Sequence, residues 1–197
     1  GVKTCALPIS PWVLGSDGTG RIDQVGAAVT GVSVGDRVVI NPGIACGTCD
    51  YCQADQQPLC LKFGVLGEHR PGTFAEYVTV PARNVRRIPD DLDDASAAAF
   101  TLATLTAWRM VHSRAKVQPG DTVLIQGIGG GVAIAALQIC KRIGAQVIVT
   151  SGSDHKLARA TALGADQTIN YRSVDVAREV RARTGKRGAD VVIDSGG

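Results

Sequence analysis

Residues 46–60 read CGTCDYCQADQQPLC, so four of the six cysteines of the chain fall within one short stretch, spaced C-x2-C-x2-C-x7-C. Thiolates are good zinc ligands, and four of them close a tetrahedral site. A C-x2-C pair lets one tight turn aim two sulfurs at a common point, and the Gly and Thr of CGTC suit such a turn. The longer return to Cys60 gives the chain enough slack to complete the tetrahedron. Two competing arrangements are two disulfides and four unrelated buried thiols. Disulfides need an oxidising compartment, and no charged segment followed by an apolar run opens the chain as a secretory leader would. Cys46, Cys49, Cys52 and Cys60 are therefore expected to hold Zn2+. With sulfur at every corner no position is open to water or substrate, so the ion would be structural. The residues between the cysteines carry two Asp and no Lys or Arg, which argues against a zinc knuckle gripping phosphates. Cys5 stands alone and says little, and Cys140 lies in an apolar helical run that marks it as a core residue.

A second stretch, VLIQGIGGGVAIAALQ, sets a glycine-rich turn between an apolar strand and a helix. Gly127, Gly129, Gly130 and Gly131 form the turn. Glycine permits the tight backbone angles there and lets the main chain approach a pyrophosphate, while the helix start offers N–H groups and partial positive charge. Ala133 stands where the last glycine of a dinucleotide fingerprint is usual, and is still small enough for close helix–strand packing. In such folds an acidic residue ending the second strand binds the ribose 2′-hydroxyl of NAD. Here that strand runs VIVT into SGSDHK, with Ser151 in the acid's place and Asp154 late for the role. Small polar residues followed by Lys156 suit a 2′-phosphate, so NADP(H) is expected rather than NAD(H).

The elements that would position these residues follow from patterning. The chain has 197 residues, 45% apolar and 20% charged, which predicts a buried core and no disorder. The net charge of +3 is scattered, and no basic stripe suited to nucleic acid appears. No apolar run approaches the roughly 20 residues of a membrane helix. These features point to a cytoplasmic protein that binds neither nucleic acid nor membrane. GTGRIDQVG, GDRVVIN and GTFAEYVTVP read as short strands. The Asp-rich start and Ala-rich continuation of PDDLDDASAAAFTLATLTAWRMVHSRA read as a helix. From DTVLIQG onward strands and helices alternate, with Ser153 a candidate helix cap and Gly144 and Gly164 helix stops. That alternation predicts βαβ units and a parallel sheet. Residues 1–100 form the first predicted domain and 101–197 the second. The chain starts without a clear first strand and stops after a strand, so both ends are expected to be incomplete.

Together, LGSDGTGRIDQVG, VGDRV, the cysteine lobe, GTFAEYVTVP, LTAW, GGGVAIAALQ, LGADQTINY and GADVVID resemble the medium-chain dehydrogenase/reductase superfamily, the zinc-type alcohol dehydrogenases and quinone oxidoreductases. The resemblance spans nearly the whole chain. It implies an α/β protein, with a GroES-like β-rich domain and a Rossmann-type doubly wound parallel sheet, and a structural zinc in the four-cysteine lobe. It implies that Thr106 lies close to the nicotinamide and that Gly130, Gly131 and Val132 lie beneath the pyrophosphate. Tyr171, with Ser151, Gly152, Ser153 and Lys156, falls where NADPH-using relatives hold the adenosine phosphate.

The departures matter as much. Zinc-dependent members read G-H-E where this chain has Gly15, Ser16 and Asp17, and a second catalytic ligand is replaced by Leu102. The third would precede Gly1. A catalytic zinc is therefore not expected. Hydride transfer to a quinone, enone or carbonyl fits best, with Ser16 a candidate hydrogen-bond donor to the reacting oxygen. Zinc-dependent alcohol oxidation and non-catalytic NADPH binding are the alternatives. His69, His112 and His155 are expected to be loop or surface residues, and Glu76 and Tyr77 structural residues of a strand. A small-molecule substrate and a homo-oligomer, dimer or tetramer, are also implied by the resemblance.

Overall fold

A computed structural model describes residues 12–195; Cys5 and the final two glycines of ADVVIDSGG lie outside them. The chain divides into two compact units, Gly1–Leu102 and Ala103–Gly197.

The first unit is built from short strands. β1 (Thr19–Arg21), β2 (Arg37–Ile40), β3 (Gly43–Ile44), the one-turn helix α1 (Asp50–Gln53), β4 (Gly64–Val65) and β5 (Val85–Arg87) follow in chain order. β1, β2 and β5 form an antiparallel sheet in that order, with Val38 opposite Arg87 and Ile40 opposite Val85. Along β2 the side chains alternate, and Val38 and Ile40 point inward to meet Ile44, Leu66 and Val85. Each such side chain taken out of water contributes roughly 1.5–3 kcal/mol. β3 and β4 pair only with each other, Gly43 opposite Val65 and Ile44 opposite Gly64. The cysteine lobe is thus a loop whose two ends are tied together.

GTFAEYVTVP is not a strand. Residues 72–81 run without a ladder partner among the described residues and face residues 18–26 across a groove. Val78 and Val80 still pack against the core, which accounts for the alternating pattern, but the backbone bonds from Gly72, Thr73 and Phe74 N–H to the carbonyls of Val13, Gly15 and Leu14 do not continue along the segment as a ladder. Glu76 and Tyr77 are accordingly exposed loop residues rather than strand residues.

The boundary between the units falls within α2 (Asp94–Trp108), which continues as a π-helical stretch over Arg109–Ala115 and ends at Lys116 in a left-handed conformation. His112 is half-buried, its ring 3.9 Å from that of Trp108, rather than a plain surface residue.

In the second unit β6 (Thr122–Ile125), α3 (Gly131–Ile143), β7 (Gln146–Ser151), α4 (Asp154–Ala162), β8 (Gln167–Asn170), α5 (Val176–Arg183) and β9 (Val191–Ile193) alternate. The strands form one parallel sheet in the order β8-β7-β6-β9. β6 and β7 are buried on both faces, as expected of a parallel sheet covered by helices, and so read as continuous apolar runs. Ala133, Ala136, Leu137 and Cys140, at helical spacing, turn one side of α3 onto Val123, Ile125, Val147 and Val149. Leu124, Ile148, Ile169 and Val180 fill the opposite face. Gly144 ends α3 with φ +93°, a conformation that favours glycine. Ser153 does occupy the cap position of α4, but its side chain makes no capping bond; Asp175 caps α5 through Arg178 N–H.

Lys141 on α3 donates to both carboxylate oxygens of Asp166, at 2.8 and 2.7 Å, and Val147 N–H donates to the same group at 2.6 Å. Burial alone would raise the Asp166 pKa, but these bonds outweigh it and hold the carboxyl below its ordinary value. Its stabilising effect is therefore full above the unfolded pKa and lost as pH falls through the lowered folded value. Asp166→Asn should cost roughly 1–3 kcal/mol at neutral pH. That penalty should shrink as the pH falls below the ordinary carboxylate range and through the lowered folded value. Urea unfolding at neutral pH and in acid checks this; an undiminished difference in acid would contradict it.

Candidate functional site

The cysteine lobe enters through β3 and leaves through β4. Asn84, buried beside its base, donates to the carbonyls of Asn41 and Gly43, both at 2.8 Å. Arg83 donates to Ala45 O at 2.5 Å, and its guanidinium lies against Gly47. Gly47 has φ +80°, and a Cβ there would stand 2.8 Å from Nη1 of Arg83, so both the turn and the contact require glycine. The turn anticipated within CGTC is thus present and clamped from outside.

Within the lobe the four Sγ atoms all lie within 4.8 Å of one another. Cys46 and Cys52 are 3.8 Å apart and Cys49 and Cys52 3.6 Å. Tetrahedral zinc with Zn–S near 2.3 Å needs sulfurs roughly 3.8 Å apart, so the residues fit the ion. Backbone N–H groups point at the sulfurs: Thr48 and Cys49 at Cys46, both 3.4 Å, and Cys46 and Lys62 at Cys60, 3.2 and 3.3 Å. Hydrogen bonds from Thr48 N–H and its hydroxyl, then from Cys49 N–H, pull the Cys46 pKa down to about 5. Burial drives Cys52 up to about 12. Thiols this close cannot all ionise unaided, and a divalent cation among them removes the conflict.

The glycine turn follows β6. Thr150 on β7 holds it twice: Ile128 N–H donates to the Thr150 carbonyl at 2.8 Å and Gly127 N–H to its hydroxyl at 3.2 Å. Gly127 and Gly129 have φ +67° and +129°. A Cβ at Gly130 would meet only open space, so the backbone is bare on that side. Gly130 caps α3 without a side-chain bond, leaving the first N–H groups of the helix to whatever lies before it. Val132 is half-buried, and Thr106 is exposed on the last turn of α2. The order β8-β7-β6-β9 reverses between β6 and β9, and ligands of such sheets bind at that reversal, beyond the carboxyl ends of the strands.

Two cationic side chains flank this edge. Lys156 lies over Gly129, whose Cβ would stand 2.9 Å from Lys156 Cδ. Past the end of β7, a Cβ on Gly152 would stand 2.9 Å from both Tyr171 Oη and Arg172 Nε. Ser151 Oγ accepts from Ser153 N–H at 3.2 Å. Asp154 accepts from the Asn170 amide at 2.7 Å.

In the first unit Ser16 donates to Leu66 O at 2.7 Å, so its hydroxyl proton ties the 15–17 turn to the residues after β4. Thr73 Oγ1 donates to Asp17 O at 2.6 Å, and the Asp17 carboxylate accepts from Thr101 Oγ1 at 2.7 Å and Leu102 N–H at 2.8 Å. His69 accepts from Val65 N–H at 3.3 Å and acts as a loop residue; His155 is exposed. Thr150, Arg83 and Arg172 were not singled out in the sequence. Thr150 is the lone hydroxyl in VIVT and Arg172 directly follows Tyr171, which are faint signals; for Arg83 no local signal exists.

Two family models match the chain: the alcohol dehydrogenase GroES-like domain over residues 2–90 and the zinc-binding dehydrogenase over residues 131–197. An NAD-dependent alcohol dehydrogenase of Sulfurisphaera tokodaii is 38% identical over 93% of this chain and 53% of its own length. An L-threonine 3-dehydrogenase of Anaeromyxobacter sp. (strain Fw109-5) is 34% identical over 97% of this chain and 54% of its own. The crystal structure of an NAD-dependent alcohol dehydrogenase superposes with TM-score 0.90 at 52% identity, covering 94% of this chain and 54% of that one. The chain belongs to the medium-chain dehydrogenase/reductase superfamily, with its GroES-like and Rossmann-type folds. It spans about half the length of the curated relatives it matches.

Proposed function

We infer that the chain belongs to an NADP(H)-dependent oxidoreductase that delivers hydride to a quinone, enone or carbonyl without a catalytic metal, and that the cysteine lobe carries structural zinc. The observation that carries this reading is the contrast between two sites. Cys46, Cys49, Cys52 and Cys60 converge at metal-ligand distances. At the family's catalytic positions stand Ser16, whose hydroxyl is bonded to Leu66 O, and Leu102, whose side chain carries no metal-ligating atom.

The bound nicotinamide cofactor supplies the hydride. The chain's own groups bind and orient it. Gly127, Gly129, Gly130 and Gly131 give the pyrophosphate a close approach, and the α3 N–H groups with Val132 receive its charge. Ser151, Gly152, Ser153, Lys156 and Tyr171 take the adenosine end, and Thr106 takes the nicotinamide end. Without a Lewis acid, the reacting oxygen needs hydrogen-bond donors. Ser16 would serve only by exchanging its Leu66 bond for the substrate. The four reduced thiols accord with a cytoplasmic setting, and the partner is a small molecule acting on a dimer or tetramer. The names of the relatives favour a second reading, alcohol oxidation with NAD, which requires a metal at the catalytic positions.

Metal content separates the two. Elemental analysis is expected to return one zinc per chain, lost in the Cys46→Ser, Cys49→Ser double variant together with thermal stability, because metal binding energy in such a lobe is folding energy. A second zinc that survives the mutation would give the alcohol dehydrogenase reading precedence.

NADPH consumption with a panel of quinones and enones, measured on the full-length protein, should exceed alcohol-dependent NAD reduction. Binding without consumption would make the protein a non-catalytic NADPH binder. Ser16→Ala should lower turnover about tenfold if its hydroxyl contacts the reacting oxygen; unchanged turnover removes Ser16 from the chemistry.

A further inference from the structure

The cysteine lobe is held at its base by contacts that do not involve its sulfurs. β3 pairs with β4 at the two ends of the loop, Asn84 donates to the carbonyls of Asn41 and Gly43, and Arg83 donates to Ala45 O. Entry and exit of the lobe therefore stay fixed when the bonds among the thiols change.

The four thiols are not equivalent. Cys46 and Cys49 are half-buried, whereas Cys52 and Cys60 are buried. Cys46 Sγ accepts from Thr48 N–H and Cys49 N–H, both at 3.4 Å, and from the Thr48 hydroxyl at 3.6 Å. Cys60 Sγ accepts from Cys46 N–H at 3.2 Å and Lys62 N–H at 3.3 Å. Stabilising a thiolate in this way makes it a weaker nucleophile. Cys49 is partly open to solvent, and the buried Cys52 Sγ lies 3.6 Å from its own. Cys49 caps α1 and Cys52 lies within it, three residues on, a spacing that sets both on one side of the turn. An accessible thiol with a second thiol poised beside it is the arrangement of a reversibly oxidised pair.

Resting on the structural zinc reading above, we propose that Cys49 and Cys52 form an oxidation site for hydroperoxides, with Cys49 meeting the peroxide and Cys52 resolving it, and that their pairing releases the metal. The Cys49 thiolate attacks one peroxide oxygen, the O–O bond breaks, and the departing oxygen leaves as water or alcohol with a proton from solvent. The Cys52 thiolate then attacks the sulfenic sulfur, the S–O bond breaks, and hydroxide leaves as water with a second proton. Two thiolates are thereby oxidised to one disulfide and the peroxide is reduced. Cys46 and Cys60 alone do not close a tetrahedral site. Because β3, β4, Asn84 and Arg83 hold the base of the lobe, reduction by a dithiol returns the four sulfurs to one another.

The test treats the zinc-loaded full-length protein with hydrogen peroxide, then alkylates remaining thiols, maps the peptides by mass and measures released zinc with a chromophoric chelator. The expected result is a Cys49–Cys52 disulfide with about one zinc released per disulfide, both reversed by dithiothreitol with added zinc. Cys140, buried in the core of the second unit, stays a thiol and is the internal control. A disulfide through Cys46 or Cys60, or sulfinic acid without a disulfide, overturns the assignment. Zinc that stays bound as the disulfide accumulates overturns the release. Protein isolated without zinc removes the structural zinc reading instead, and the mapped pair then decides the oxidation site by itself. Arg83→Gln should leave the disulfide at the same pair and lower the zinc recovered after one cycle; full recovery removes Arg83 from the switch.

Discussion

The pairing of β6 with β7 is the constraint on which the second unit depends. Both strands are buried on both faces, so neither can slip by a residue without moving an apolar set out of the core. Fixing their register fixes Thr150, and Thr150 holds the glycine turn by its carbonyl and its hydroxyl. The turn therefore inherits its position from the sheet rather than from its own sequence. Gly127 and Gly129 make the shape accessible, and the neighbouring strand decides which accessible shape is used.

Charge is handled differently in the two units. Around the cysteine lobe the stabilising partners are backbone N–H groups aimed at sulfur, a geometry that favours thiolates and so favours a cation among them. At the carboxyl edge of the parallel sheet the partners are α3 N–H groups and two side chains, Lys156 and Arg172, which suit an anion. One chain thus gathers four thiol side chains, which suit a cation, in one unit, and main-chain N–H groups with two cationic side chains, which suit the opposite charge, in the other.

Much of this was legible in the sequence because it rests on local rules. The cysteine spacing, the glycine turn between a strand and a helix, and the alternation of strands and helices from DTVLIQG onward are patterns of neighbours. GTFAEYVTVP was misread because alternation reports which side chains face a core, as Val78 and Val80 do, and not whether a partner strand lies alongside. His112 was misplaced because its contact with Trp108 comes through a π-helical stretch that the helical pattern does not announce. Arg83, Thr150 and Arg172 act across long sequence separations or between adjacent strands, where periodicity carries no signal.

The pairing of β3 with β4 gives the cysteine lobe a hairpin's topology. Residues 45–63 leave the body of the unit and return at adjacent rungs, Ile44 opposite Gly64. Chain added between paired ends costs only a logarithmic closure entropy. The segment is therefore a cassette: it can be lengthened, exchanged or excised to a tight reverse turn while β2 and β5 keep their register. A fold with that property can gain or shed a metal module without renegotiating its core.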